Sequence, residues 1–388
     1  MKITRRICIL ISVLCAPPLL LSSAPKKPKA AAKTQYLAYV GTYTTKTNSK
    51  GIYAYRYDAT TGNFSSLGVA AQSADPSFVA VHPNGRFLYA VNEAGKNSMV
   101  SAFALEPKTG KLTLLNQLPA LGEDPCYISF DKTGKYVLVA NYSSGSIPVF
   151  PILPDGRLGE HTALIQHSGN LGPNKERQEA PHAHWTETSR DNRFALAADL
   201  GLDEVLVYKF NAAKGALSPN SPPFTKLHAG SGPRHIAFRP DGKFLYVISE
   251  LNSTVTTFRY NARAGTLREL QTVNTLPKEF SGRNDTAEIV VHSNGKFLYA
   301  SNRGHDSIAV FAIDHAKGTL TFVARVPTGG KEPRHFALDP SGNYLFAENQ
   351  LSNNIVVFKI DLATGGLNPT GQVIEVPSPV DLTFVAAE

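Results

Sequence analysis

The stretch GPRHIAFRPDGKFLYVISE, from Gly232 to Glu250, reads as a strand, a tight turn and a second strand, and versions of it return along nearly the whole chain. Ile236 to Phe238 is a short apolar run. Pro240-Asp241-Gly242 is a turn in which Pro presets φ and Gly accepts φ > 0, and Phe244 to Ser249 is again rich in β-formers. One such hairpin cannot bury its apolar faces. Copies stacked side by side at a fixed period can.

The return strands begin at Tyr36, Phe87, Tyr136, Phe194, Phe244, Phe297 and Tyr344, which makes seven. A second marker, a Gly two residues before Phe or Leu, stands at Gly62, Gly110, Gly156, Gly215, Gly265, Gly318 and Gly365. Seven copies at a period of about 50 residues match the length of a four-stranded propeller blade. A third marker opens the leading strand: DPSFVAV at Asp75, DPCYISF at Asp124, APHAHWT at Ala180, GPRHIAF at Gly232, DTAEIVV at Asp285, EPRHFAL at Glu332 and SPVDLTF at Ser378. The N-terminal copy lacks this leading strand, and the C-terminal copy has nothing else. The sequence therefore predicts an all-β, seven-bladed β-propeller with four antiparallel strands per blade, closed where N-terminal strands pair with the C-terminal one. Closure removes the exposed sheet edges of an open array.

The repeat spans residues 36–388, so one domain is expected despite a length of 388 residues. Ahead of it, three basic residues and the apolar run from Ile7 to Leu21 resemble a signal peptide over residues 1–24, followed by a Lys/Pro/Ala-rich tether over 25–35. The run is short for a membrane span and is broken by Pro17-Pro18, so the mature protein is expected without a span, exported to the periplasm or secreted. The formal charge of +8 is concentrated here: Lys2, Arg5, Arg6, Lys26, Lys27, Lys29 and Lys33 have no acidic counterpart before residue 36. The folded part is nearly neutral, which argues against a nucleic-acid partner. Cys8 and Cys15 lie in the leader, leaving Cys126 alone in a domain that relies on its core rather than on disulfides. A monomer is the expected state.

In an up-and-down blade the start of the leading strand, the end of the second strand and the connection between blades share one rim. Leading-strand starts bring His182, His184, Arg234, His235, Glu288, Arg334, His335 and Asp381 there. Second-strand ends bring Asn92, Glu93, Asn141, Tyr142, Asp199, Glu250, Asn302, Arg303, Glu348 and Asn349. Two long connections, Glu160 to Ala180 and Leu276 to Asp285, lie on the same rim, and loops of that size on a compact scaffold carry function more often than not. The opposite rim has plain Pro-Asp-Gly turns. A ring of His, Arg, Glu and Asn around a channel mouth supplies a base, cations and amide donors, the equipment for making or opening an ester. Each residue also has a structural alternative: Asn and Asp cap turns, Arg pairs with a carboxylate, and His235 and His335 pack between blades. His182 and His184 are two apart, a spacing that can serve a metal, but no third His or Cys accompanies them and none is expected. No phosphate loop, HExxH, G-x-S-x-G elbow or paired CxxC is present, and no cofactor is expected.

At these residues the chain resembles the lactonase family of seven-bladed propellers, which includes the bacterial propeller-type 6-phosphogluconolactonases and is related to carboxymuconate lactonizing enzyme. The likeness covers Tyr36 to about Phe384 and rests on EAPHAH (179–184), ADLGLDEV (198–205), GSGPRH (230–235), ISELNSTV (248–255), SNRGHDSIAVF (301–311) and EPRHFALDPSG (332–342). It implies a metal-independent lactone reaction with His184, Arg234, Glu250 and Arg303 as catalytic residues. The rim set adds His182, Asn141, Asp199, Asn302, Arg334 and Asn349 as substrate-binding expectations. The expected substrate is a small-molecule sugar lactone; the alternatives are a non-catalytic propeller that binds a ligand or partner at this rim, or a lactonizing cyclase.

Overall fold

The computed structural model describes residues 34–387. The stretch read as a signal peptide and most of the tether lie outside the described residues. Strand begins at Gln35, one residue inside the stretch read as tether. The described strands form seven sheets of four, each antiparallel, with a single short 3-10 turn at Gly95–Asn97. The leading strands pack against one another in a closed circle: Pro379–Ala386, Val79–Val81, Pro125–Phe130, Ala183–Thr188, Pro233–Phe238, Asp285–Val291 and Pro333–Leu338. They line the central channel, and in every blade but the one that holds Pro379–Ala386 the sheet runs outward from them in chain order.

Blade 1 is the shared one. Gln35–Thr42 pairs with Pro379–Ala386 in a register that runs from Tyr36 opposite Ala386 to Val40 opposite Leu382, and Gly51–Asp58 and Asn63–Gln72 complete the sheet. Blades 2 to 7 start at Val79, Pro125, Ala183, Pro233, Asp285 and Pro333.

The first two sequence markers, the return-strand aromatic and the Gly, turn out to be the two halves of one contact. Gly318, in the outer turn of blade 6 with φ +74°, lies against the ring of Phe244, which opens the second strand of blade 5; a Cβ there would overlap the ring. Tyr246 then donates its hydroxyl hydrogen bond to the Gly318 carbonyl at 2.9 Å. Gly156 with Phe87 and Tyr89, and Gly365 with Phe297 and Tyr299, repeat the arrangement. The core follows the same logic and sits between sheets. Tyr246 and Ile248 of blade 5 pack with Leu298 and Phe311 of blade 6, and Tyr299 and Val310 of blade 6 with Phe336 and Phe358 of blade 7.

One connection is shorter than its sequence suggests. Ala163–Gln166 is the fourth strand of blade 3, paired with Ser146–Pro151, so the connection from Glu160 to Ala180 contracts to residues 167–182. This edge strand has four residues and alternates half-buried with exposed positions, too weak a pattern to stand out from its polar surroundings.

Candidate active site

Each leading strand enters the channel through an irregular step. The pairing with the second strand slips between Pro125 and Tyr127, Ala183 and Trp185, Pro233 and His235, and Pro333 and His335. The residues at the slip are Cys126, His184, Arg234 and Arg334. A bulge re-aims the side chain it carries, and these side chains turn toward the axis. Cys126, Arg234 and Arg334, from non-adjacent blades, line one small internal cavity together. The residue preceding the Pro adopts the left-handed region, with φ of 53° at Asp124, 62° at Gly232 and 61° at Glu332, which suits Gly and short polar or capping side chains better than β-branched ones.

Glu250 organises the charge. Its Oε2 lies 3.0 Å from Arg234 Nε and 3.0 Å from Arg303 Nη2, and its Oε1 accepts a short hydrogen bond from Arg177 Nη2. The Arg234 Nε–H is not directed at that oxygen and has no hydrogen-bond partner, so this contact is an ion pair only. Arg234 is fixed instead by donating from Nη1 to the Ala287 carbonyl at 2.7 Å. Arg303 donates to the carbonyls of Asp285 and Thr286 at 3.2 and 3.3 Å. Burial pushes the Glu250 carboxyl up, but Arg303, Arg234 and Arg177 outweigh it and hold it at about 2. A carboxylate so held stays ionised near neutrality. It orients guanidiniums and has no proton to give.

Arg334 completes the cationic set. Its guanidinium lies 5.5 Å from the ring centroid of Tyr43, whose hydroxyl donates to Glu93 at 2.7 Å. A 370 Å³ cavity at the mouth is lined by Arg303, Arg334, Arg283, Asp285, Glu332 and Gln350. From Arg334 a wider groove of 1210 Å³ continues over blade 1 past Tyr43 and Leu351.

His184 is buried with its Nδ1 3.5 Å from Cys126 Sγ and its ring 5.2 Å from that of His235. Burial, reinforced by Arg234, pushes its pKa well below the ordinary histidine value, so the imidazole is neutral near neutral pH. Burial likewise pushes the Cys126 thiol up. His182 does something different: it stacks on Tyr142 at 4.4 Å, with Nδ1 3.0 Å from the Tyr142 carbonyl and Nε2 3.2 Å from Glu179. Among the described residues no group of three or more His, Cys, Asp or Glu side chains is arranged to hold a metal ion.

The structure brings together His184, Arg234, Glu250, Arg303 and Arg334, and spends the remaining expected residues within the rim. Asn141 donates to the Ala120 carbonyl and Ser146 Oγ, both at 3.0 Å. Asp199 accepts from the backbone amides of His182 and Leu202 and lies 2.7 Å from His167 Nδ1. Asn302 accepts from Thr275 at 2.6 Å, and Asn349 pairs with Asn354 at 3.0 Å. All four are fully buried and pin the connections between blades. The mouth belongs to the residue after each strand-end position: Glu93, Tyr142, Glu250, Arg303 and Gln350. His235 and His335 pack beneath the mouth, His235 on Glu288 at 2.9 Å and His335 on Glu348 at 2.6 Å. Sequence reasoning missed Arg177. It lies in a run of polar residues, Asn174 to Glu179, in which spacing singles out none, and adjacency to EAPHAH was the signal available.

The fold and site define a closed seven-bladed ring with an arginine-lined mouth around one carboxylate. Residues 37–384 match the family described as Lactonase, 7-bladed beta-propeller, and the chain belongs to it. A Bacillus subtilis protein named 6-phosphogluconolactonase is 40% identical over 307 residues, covering 79% of this chain and 86% of that one. A 6-phosphogluconolactonase from Formosa agariphila is 34% identical over 307 residues, 78% of this chain and 86% of that one. Among solved structures, a periplasmic gluconolactonase of Pseudomonas aeruginosa superposes with a TM-score of 0.86 at 36% identity, covering 91% of this chain and all of that one.

Proposed function

We propose that this protein is a lactone hydrolase of the 6-phosphogluconolactonase type, which opens a sugar lactone at the channel mouth. The observation that carries the reading is the Glu250 cluster, two guanidiniums held on one carboxylate oxygen, with the buried His184 packed on Cys126, which shares a cavity with Arg234 and Arg334. Such donors suit charge that develops on a carbonyl oxygen, because they are oriented before the reaction starts. In this reading a water attacks the lactone carbonyl and passes a proton to His184. Arg234 and Arg303 stabilise the oxyanion. The acyl C–O bond of the ring then breaks, the departing ring oxygen takes back the proton held by His184, and the product is an open-chain hydroxy acid. Arg334 holds an anionic or hydroxyl group of the sugar, and no step calls on a metal.

The leader read over residues 1–24 supports export, and the likeness to a periplasmic gluconolactonase agrees with it. An exported enzyme acts on a lactone found outside the cytoplasm, which favours an unphosphorylated sugar lactone as substrate. The test is turnover of gluconolactone by Arg234→Lys and Arg303→Lys, with chelator present throughout. Lys keeps the charge but loses the planar fork. The expected loss is about 3 kcal/mol of transition-state stabilisation, roughly a hundredfold in kcat, at unchanged Tm. Fully active Lys variants, or wild-type turnover abolished by chelator, would sink the reading.

A further inference from the structure

The third guanidinium on Glu250 belongs neither to a blade nor to the residues implied by the family resemblance. Arg177 comes from the connection 167–182, and its position is built rather than incidental. Asn174 closes a turn in which its carbonyl accepts from Gln178 N at 2.7 Å and its Oδ1 from Arg177 N at 3.2 Å. Gln178 is buried and locks that turn to blade 4: its Nε2 donates to the Leu200 carbonyl at 2.9 Å and to Asp203 Oδ1 at 2.8 Å. Asp203 also accepts from Gly230 N and Gly232 N, each at 2.8 Å, just ahead of Arg234. One set of hydrogen bonds thus fixes both the loop that carries Arg177 and the approach to Arg234. Beyond Glu250, Arg177 reaches Tyr142 Oη at 3.4 Å and Asp285 Oδ1 at 3.5 Å.

We propose that Arg177 is a positioning residue for the lactone reaction, acting through Glu250. By occupying Oε1, it leaves Oε2 to Arg234 and Arg303 and stops the carboxylate from turning away from them. Without it, Glu250 gains a rotamer in which one oxygen faces water, and the two mouth guanidiniums lose their fixed direction. The side chain is 30% exposed, and its removal opens no core. The inference rests on the reading of the mouth given above.

The experiment is a double-mutant cycle in the full-length protein with gluconolactone as probe. Arg177→Ala is expected to lower kcat about tenfold to a hundredfold, the usual effect of losing a residue that orients a functional one, with KM within about twofold. Millimolar guanidinium should restore part of kcat, and Arg177→Lys should keep more activity than Arg177→Ala. In a Glu250→Gln background, Arg177→Ala should cost nothing further, because interacting residues are not additive. Full activity of Arg177→Ala beside an inactive Glu250→Gln enzyme overturns this inference alone. So do losses that add in full, or a rise in KM at unchanged kcat. A fully active Glu250→Gln enzyme would overturn the reading of the mouth and this inference together.

Discussion

His182 and His184 show how far two equal residues diverge when a bulge separates them. His184 occupies the slip position equivalent to Arg234, touches Cys126 and His235, and is held neutral by burial and nearby positive charge. His182 precedes the strand and serves as a stacking platform for Tyr142. The sign for pH follows from the lowered pKa. A base works when unprotonated, so activity should persist below the ordinary histidine range and fall only as pH drops through the depressed value. His184→Ala should therefore reduce kcat about a hundredfold or more and flatten the acid limb, as expected when a positioned base is removed. His182→Ala should leave the limb in place. An unchanged acid limb in His184→Ala would remove the histidine from the proposed chemistry.

Among the elements, what could be read from sequence was whatever two blades have to share. The Gly and Phe markers were legible because they are one interblade contact repeated around the ring, and a repeated steric demand leaves a repeated residue. The division of labour at strand ends was not legible. Asn302 and Arg303 are consecutive, and only the observed register shows that the first turns into the connection while the second reaches the mouth. Arg177 was hidden for a different reason, since a loop has no period.

The leading strands also share charge beneath the mouth. His335 Nε2 lies 3.3 Å from Asp381 and 3.4 Å from Glu288, and its Nδ1 2.6 Å from Glu348, which joins blades 6, 7 and 1. Burial opposes charge on His335, but Glu348, Glu288 and Asp381 outweigh it and raise it to about 10, while Glu288, also opposed by burial, is held at about 2 by His235 and His335. A raised histidine stabilises fully below its unfolded value near 6.5, and that contribution is lost as pH rises through about 10. The depressed Glu288 acts the other way, its contribution being present above the unfolded carboxylate value and lost as pH falls through about 2. Asp381 is pushed up to about 7 by burial, so its effect favours acid and fades as pH rises through 7. His335→Gln should thus lower stability most below about pH 6.5, by on the order of 3 to 5 kcal/mol for an uncompensated buried charge, and the loss should shrink steadily as pH rises toward about 10. Wild-type and variant melting curves should converge above pH 10. Equal losses at all pH values would show that packing, not charge, is what His335 contributes.

At the scale of the molecule, the site exists only if the ring is closed. Arg334 meets Tyr43 across the join between blades 7 and 1, and Asp381 reaches from the final strand to the backbone of Val79 at 2.7 Å in blade 2. The final strand also covers Tyr57, Phe64 and Phe346 with Phe384, whose ring lies 5.2 Å from that of Tyr57. Deleting residues 377–388 therefore removes the inner strand of a sheet, uncovers two interblade faces and leaves Gln35–Thr42 as an open edge. A terminal tail costs little when it is exposed and unpaired; this one is neither. The truncated protein should melt well below the full-length one, aggregate through its new edge, and lose lactone turnover even at temperatures where its remaining blades stay folded. Adding the missing twelve residues back as a synthetic peptide should recover part of the melting temperature, because the groove it fills is left in place. A truncated protein with the full-length melting temperature would mean that the last strand does not close the ring.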